Sequence, residues 1–202
     1  MIGLMTVVLA YLLGAIPFGY LLVKWKTGSD VRGSGSGNIG ATNVLRTTGR
    51  AAGIATLILD IGKGYLAVWL AERLTGGDVF WMSLAALAVM AGHSYPVFLK
   101  FHGGKAVASF VGAFLRLTPL AMVLILLVFL GTVIFTRHVS MGSIVAATVF
   151  PLGVWLIEKP ALVVVLSSLV SAAFIIYRHK TNIERLSRGT ESEFRFGSGA
   201  GQ

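Results

Sequence analysis

Residues 2–23 carry no charge, and long apolar runs recur at 51–71, 79–99, 117–136, 139–157 and 160–177. Only the run at 51–71 contains charged residues, Asp60 and Lys63. A helix needs about 20 apolar residues to cross the roughly 30 Å hydrocarbon core of a bilayer. Each of these runs is that long or nearly so. A further apolar run, 106–115, has only ten residues, or about 15 Å of helix. The pattern predicts an all-α integral membrane protein, with short polar connections between the spans.

The distribution of charge orients the spans. The first connection holds Lys24, Lys26, Arg32, Arg46 and Arg50 against one acid, Asp30. Cytoplasmic loops are enriched in Lys and Arg, so the N-terminus is expected outside and this loop inside. The turn at 73–78 is then outside, and Lys100 and Lys105 are inside. If 106–136 crossed once, Arg137, Arg178, Lys180, Arg185 and Arg188 would all lie outside. Two crossings keep them inside. The expectation is seven transmembrane helices, N-terminus outside and C-terminus cytoplasmic, with a five-span arrangement of merged or re-entrant segments as the alternative.

Composition agrees. The chain is 55% hydrophobic and 12% charged, against about 25% charged in soluble domains. Its formal net charge of +9 would suggest nucleic acid on a soluble protein. Confined to connections between membrane spans, it points instead to phosphate and lipid headgroups. Cysteine is absent, which excludes disulfides and thiol chemistry. The first run is too long, and lacks the preceding basic residues, for a cleavable signal peptide. Residues 1–196 read as a single helical membrane domain. The end "GSGAGQ", 197–202, reads as a flexible tail left by cloning.

Three polar stretches are expected on the inner side. The first, "GSGNIG" at 35–40, matches the spacing of a dinucleotide-binding loop, with Asp60 twenty residues past Gly40. A transmembrane run precedes it where a strand is required, so that reading fails. What remains is a backbone able to form an anion-binding nest around Gly37. Ser36, Asn38, Thr42 and Asn43 add neutral donors, and Arg46 offers a guanidinium fork suited to phosphate. A lipid-touching loop would need the cations but not the glycines. In the second stretch, "AGHSYPVFLKFHGGKAVASF" at 91–110, Gly103, Gly104 and Lys105 are expected to open the short fourth span as a phosphate site. The residues around them do not fit a P-loop: Leu99 and Ala106 stand where its first Gly and its Ser or Thr should be. His93 is either a general base or a brace for this loop. The third stretch, "YRHKTNIERLSRGTESEF" at 177–194, gathers five cations, counting His179, with Asn182, Glu184 and Glu191. That mixture is richer than a basic lipid-binding patch requires.

Two features are expected to be mainly structural. Asp60 and Lys63 share a helical face, and a charge at that depth costs about 2.5–3.5 kcal/mol, so they should pair. Ser140 is expected to cap a helix; Ser143 is either structural or a phosphate donor. No pair of carboxylates is spaced to hold magnesium, and no His is followed by Asp in the H-x-x-x-x-D pattern of another acyltransferase class. No metal or cofactor is expected.

"GSGNIGATNVLR", "GHSYPVFLKFHGGKAVAS" and "HKTNIERLSRGTE", in that order, resemble the acyl-phosphate:glycerol-3-phosphate acyltransferases, the PlsY family of bacterial membranes. They cover about a fifth of the chain. The resemblance implies seven transmembrane helices in the bacterial inner membrane with the active site on the cytoplasmic face. It implies transfer of a fatty acyl group from acyl phosphate to the 1-hydroxyl of glycerol 3-phosphate, giving lysophosphatidic acid and phosphate. Carried to matching positions, Ser36, Asn43, Arg46, Gly103, Gly104 and Lys105 would hold phosphate, and His179, Asn182, Arg185 and Glu191 would complete the pocket. Ser36, Arg46 and Lys105 are the expected catalytic residues. His93 is the second choice for proton acceptor, after a phosphate oxygen of the acyl donor. The expected partners are the two substrates and the bilayer, with no nucleic acid and no metal, around a monomer. The alternative function is a membrane transporter of phosphate esters, which would more often show repeated halves and broken helices at mid-membrane.

Overall fold

The computed structural model describes residues 1–194, so the tail at 197–202 lies outside the described residues. Every regular element among the described residues is helical. The chain divides into two compact units, Met1–Leu117 and the part from Thr118 onward.

The first unit holds α1 (Ile2–Ala15), α2 (Phe18–Thr27), α3 (Ala41–Thr48), α4 (Arg50–Thr75), α5 (Val79–Ser94) and α6 (Val107–Leu117). The first apolar run, expected as one span over 2–23, is longer and broken. It reaches Thr27, and Ile16 turns to an extended conformation before Pro17. Proline cannot donate the amide that a continuous helix requires, which is why the break falls there. α2 ends at Gly28, whose left-handed conformation (φ 73°) lets its amide close on the Lys24 carbonyl at 2.9 Å. α4 ends the same way at Gly76, and the Asp78 carboxylate then caps α5 by accepting from the Phe80 amide at 2.9 Å.

Glycine sets two helix crossings in this unit. A Cβ on Gly14 would lie 2.2 Å from the Val89 carbonyl oxygen, and one on Gly92 would lie 2.1 Å from that of Tyr11. α1 and α5 therefore touch backbone to backbone from both sides. α4 and α6 do the same: Gly64 faces the Ser109 carbonyl at 2.1 Å and Gly112 faces that of Ile61 at 1.9 Å, by the same measure. Small residues of this kind let helices approach closely where lipid supplies no hydrophobic drive.

The second unit holds α7 (Pro119–Thr136), α8 (Val139–Gly153), α9 (Leu162–Arg178) and α10 (Lys180–Ser187). Pro119 starts α7, where no donor is needed. The Glu158 carboxylate accepts from the next two amides, Leu120 at 2.9 Å and Ala121 at 3.3 Å. α8 contains Pro151 and widens into a π turn over Val154–Glu158, the local adjustment expected after a missing helical donor. α9 and α10 meet at a bend of 56°.

Among the described residues, five segments are long and apolar enough to cross a membrane: Ile2–Thr27, α4, Val79–Leu99, α7 and Val139–Glu158. The bent pair α9–α10 makes a sixth if taken as one span. α6 is apolar but has only 11 residues.

Candidate active site

The glycine loop before α3 is built around one side chain. Asn43 is 2% exposed. Its Oδ1 accepts from the Ser36 amide at 2.9 Å, and its Nδ2 donates to the carbonyls of Asn38 at 2.8 Å and Ser34 at 3.1 Å. The Asn38 carboxamide oxygen accepts from the Gly40 amide at 2.9 Å, and the Gly37 amide donates to Ser34 at 3.0 Å. The loop amides at Ser36, Gly37 and Gly40 are thus committed to shaping the loop. The sequence expected them to converge on an anion. Gly35 and Gly37 are glycine for conformational reasons, with φ of 58° and 69°. The hydroxyl of Ser36 and the guanidinium of Arg46 lie on exposed residues, with Thr42 half-buried between them in sequence. At the loop's start Asp30 forms a two-pronged ion pair with Arg32, Oδ2 to Nη2 at 2.6 Å. The Arg32 hydrogen bonds hold the Asp30 carboxyl below its usual range.

The second stretch folds back on the end of α5. The Gly103 amide donates to the Ser94 carbonyl and the Gly104 amide to that of His93, each at 3.1 Å. An added Cβ on Gly103 would fall 2.2 Å from the His93 carbonyl oxygen, and one on Gly104 would fall 2.2 Å from His93 Nε2. Only glycine fits at either place. α6 begins at Val107, not at the Gly-Gly-Lys motif, because Ala106 is left-handed with φ 61°. Lys105 therefore precedes the helix instead of opening it. Lys100 and Phe101 are left-handed as well, with φ of 52° and 63°. Three non-glycine residues in this region, each costing about 1–2 kcal/mol, bracket one short loop.

Behind this loop lies a buried polar chain. Lys63 Nζ is 2.8 Å from Asp60 Oδ1 and donates at 2.8 Å to the carbonyl of Ile16, at the break between α1 and α2. The expected pairing of Asp60 with Lys63 is present, on α4. His93 Nδ1 is 3.6 Å from Asp60 Oδ1 and 3.2 Å from the Ser109 hydroxyl. His93 is 4% exposed, and each ring nitrogen faces another protein group. Ser109 and the Ile16 carbonyl carried no distinguishing sequence signal.

The two stretches meet. Leu99, in the second, is buried in one cluster with Val31, Ile39 and Val44 of the first and with Val23 of α2. Residues 31–46 and 93–109 therefore share one end of the first unit.

In the second unit a carboxylate organises the third stretch. Glu191 Oε1 accepts from the Ser140 hydroxyl at 2.7 Å and from Asn182 Nδ2 at 2.6 Å, while Oε2 accepts from Arg185 Nε at 2.7 Å. Burial pushes the Glu191 carboxyl up, but the donors from Arg185, Ser140 and Asn182 outweigh it and hold the group below its usual range. The Phe194 amide ties the segment to the turn between α7 and α8 by donating to the Arg137 carbonyl at 2.6 Å. Ser140 is thus a Glu191 donor; His138 occupies the helix cap assigned to it from sequence. Ser143 donates to the Val139 carbonyl at 2.9 Å. His179 is buried, and its Nδ1 donates to the Ile175 carbonyl at 2.8 Å.

The family described as "Glycerol-3-phosphate acyltransferase" matches residues 4–189. Among similar proteins is a glycerol-3-phosphate acyltransferase of Desulforamulus reducens, 48% identical over 187 residues, covering 93% of this chain and 92% of the relative. One from Geobacter sulfurreducens is 47% identical over 186 residues, covering 92% and 94%. The crystal structure of PlsY, an integral membrane glycerol 3-phosphate acyltransferase, in its glycerol 3-phosphate form superposes with a TM-score of 0.90 at 40% identity over 96% of each chain. Its lysophosphatidic acid form gives 0.88 at 39% identity, over 96% of this chain and 95% of the other.

Proposed function

The chain belongs to the glycerol-3-phosphate acyltransferase family, and from that membership we propose that it moves a fatty acyl group from acyl phosphate to the 1-hydroxyl of glycerol 3-phosphate. It is an integral membrane enzyme of phospholipid synthesis. The hydroxyl oxygen attacks the acyl carbonyl carbon, the carbon–oxygen bond to phosphate breaks, and the hydroxyl proton leaves with the departing phosphate. The products are lysophosphatidic acid and inorganic phosphate.

Phosphate is a good leaving group, so the protein needs to align two substrates and stabilise charge. Alignment contributes up to about 7–11 kcal/mol, and one well-placed donor to the oxyanion about 3–4 kcal/mol. Ser36, Arg46 and Lys105 take that role in our reading: a hydroxyl on the first loop, a guanidinium on α3 and an ammonium on the second loop, in two stretches seated on one buried cluster. The remaining first-unit residues, Gly37, Asn38, Thr42, Asn43, Gly103 and Gly104, shape those loops. In the second unit Ser143, His179, Asn182 and Arg185 bind phosphate, with Asn182 and Arg185 ordered by Glu191. A phosphate oxygen of the donor accepts the proton, with His93 as the second choice.

We take residues 1–196 as one acyltransferase domain acting as a monomer, without cofactor or metal. The topology we propose has seven spans, counting α6 and α9 as crossings, with the N-terminus outside. Both glycine loops then face the cytoplasm at the bacterial inner membrane. The reading rests above all on the packing of Leu99 with Val31, Ile39 and Val44, which puts the two glycine-rich stretches side by side. Purified protein given palmitoyl phosphate and glycerol 3-phosphate should release phosphate and form lysophosphatidic acid, and should do neither with acyl-CoA or acyl carrier protein as donor. Uptake of glycerol 3-phosphate into vesicles without any acyl donor, and no phosphate release, would overturn it.

A further inference from the structure

The buried chain of Lys63, Asp60, His93 and Ser109 lies behind the second glycine-rich loop. Holding the helices together does not require it. α1 and α5, and α4 and α6, are already locked by reciprocal glycine contacts, and apolar residues of similar size often pack at least as well as a buried ion pair. Yet Lys63 and Asp60 are each almost fully enclosed, within a run long enough to cross a membrane. Ionisable groups at such depth usually serve function.

The contacts have a direction. Lys63 is anchored at the Ile16 carbonyl and over the ring of Phe18, 5.6 Å from its centroid. It holds Asp60, which lies beside His93 Nδ1; Ser109 approaches the same nitrogen. The opposite edge of that imidazole rests on the α-carbon of Gly104, and the His93 backbone carbonyl accepts the Gly104 amide. The chain ends at the residue before Lys105. We propose that Asp60 and Lys63 are positioning residues which, by fixing the His93 ring, hold Gly103, Gly104 and Lys105 in the shape that presents the ammonium to phosphate. This rests on the acyltransferase reading. A misplacement of about 1 Å in such a loop can cost about 100-fold in rate.

The test uses the full chain in detergent micelles, with palmitoyl phosphate and glycerol 3-phosphate varied separately. Lys105→Ala identifies which kinetic constant the lysine governs. The double variant Asp60→Asn, Lys63→Met removes both charges together and should leave the melting temperature within a few degrees. It should also worsen that same constant about 10- to 100-fold, with the KM of the other substrate within about twofold. His93→Ala should act in the same way. A cycle adds a purely geometric readout. Gly104→Ala must displace the imidazole, so it should be severe in the parent and at least fivefold milder in the His93→Ala background. If the double variant does not fold, the cycle decides alone. Equal effects of Gly104→Ala in both backgrounds, or a folded double variant with unchanged kinetic constants, would overturn the proposal while leaving the acyltransferase reading intact. Normal turnover by Lys105→Ala would instead sink the reading on which it rests.

Discussion

Replacing Asn43 with alanine isolates what the glycine loop contributes. The side chain accepts a hydrogen bond from the Ser36 amide and donates to the carbonyls of Asn38 and Ser34, with a longer contact of 3.5 Å to that of Val31. Each is worth about 0.5–1.5 kcal/mol net. Ser34 and Ser36 are exposed, so water can replace Asn43 at those two, and the lower part of the summed range applies, about 2 kcal/mol. The helices do not depend on these bonds, so the melting temperature should move little. The loop does depend on them. With its ordered state only marginally favoured in the parent, 2 kcal/mol shifts the equilibrium about 30-fold and lowers the competent fraction roughly 15-fold. Steady-state phosphate release should therefore show kcat/KM for glycerol 3-phosphate down by roughly that factor. Hydrogen exchange at residues 34–40 should accelerate alongside. A kcat/KM within twofold of the parent would refute the clamp. Activity lost with exchange unchanged would also refute it, since Asn43 would then act on substrate and not through the loop.

Three other perturbations follow from the same coordinates. Glu191→Gln should lower thermal stability at pH 7. Because the native carboxyl is held below its ordinary value, its stabilisation is complete above about pH 4.5 and fades as pH falls through the native pKa, so melts of parent and variant should converge in acid; a difference that grows on acidification would contradict the assignment. Gly112→Ala drives a methyl to 1.9 Å from the Ile61 carbonyl oxygen and should cost about 1–3 kcal/mol, whereas Gly62→Ala on α4 meets nothing within 4 Å and should be neutral or stabilising; equal melting temperatures for the two would contradict the close crossing. Since the chain has no cysteine, Arg73→Cys and Arg188→Cys give single labelling sites. An impermeant maleimide added to intact spheroplasts should label the first and reach the second only after lysis, and the reverse would invert the proposed topology.

Where sequence and structure part company is instructive. The helical runs were readable because burial in lipid demands long stretches of one physical character, and their charged connections are local features. The positions 60 and 63 announced themselves by cost: two charges within an apolar run must find partners, and they found each other. The first run is one span, as its hydropathy predicts, but the break at Pro17 within it is not visible to hydropathy, which carries no information about a missing amide. The start of α6 at Val107 escaped because Ala106 adopts a left-handed conformation that its side chain disfavours, and only the surrounding fold imposes it.

The chain itself determined that it would be helical and membrane-bound, and that phosphate-seeking groups would gather on three short polar stretches, because hydropathy and charge act on each segment wherever it goes. Tertiary structure decided what the individual groups do. The asparagine and the glycine amides read as phosphate donors turned inward to hold loops, Ser140 turned from a helix cap to Glu191, and His93 became the link between a buried ion pair and Gly104. Such assignments depend on distances between residues far apart in the chain, and a hydrogen-bonding group takes whichever partner the packing brings within about 3 Å.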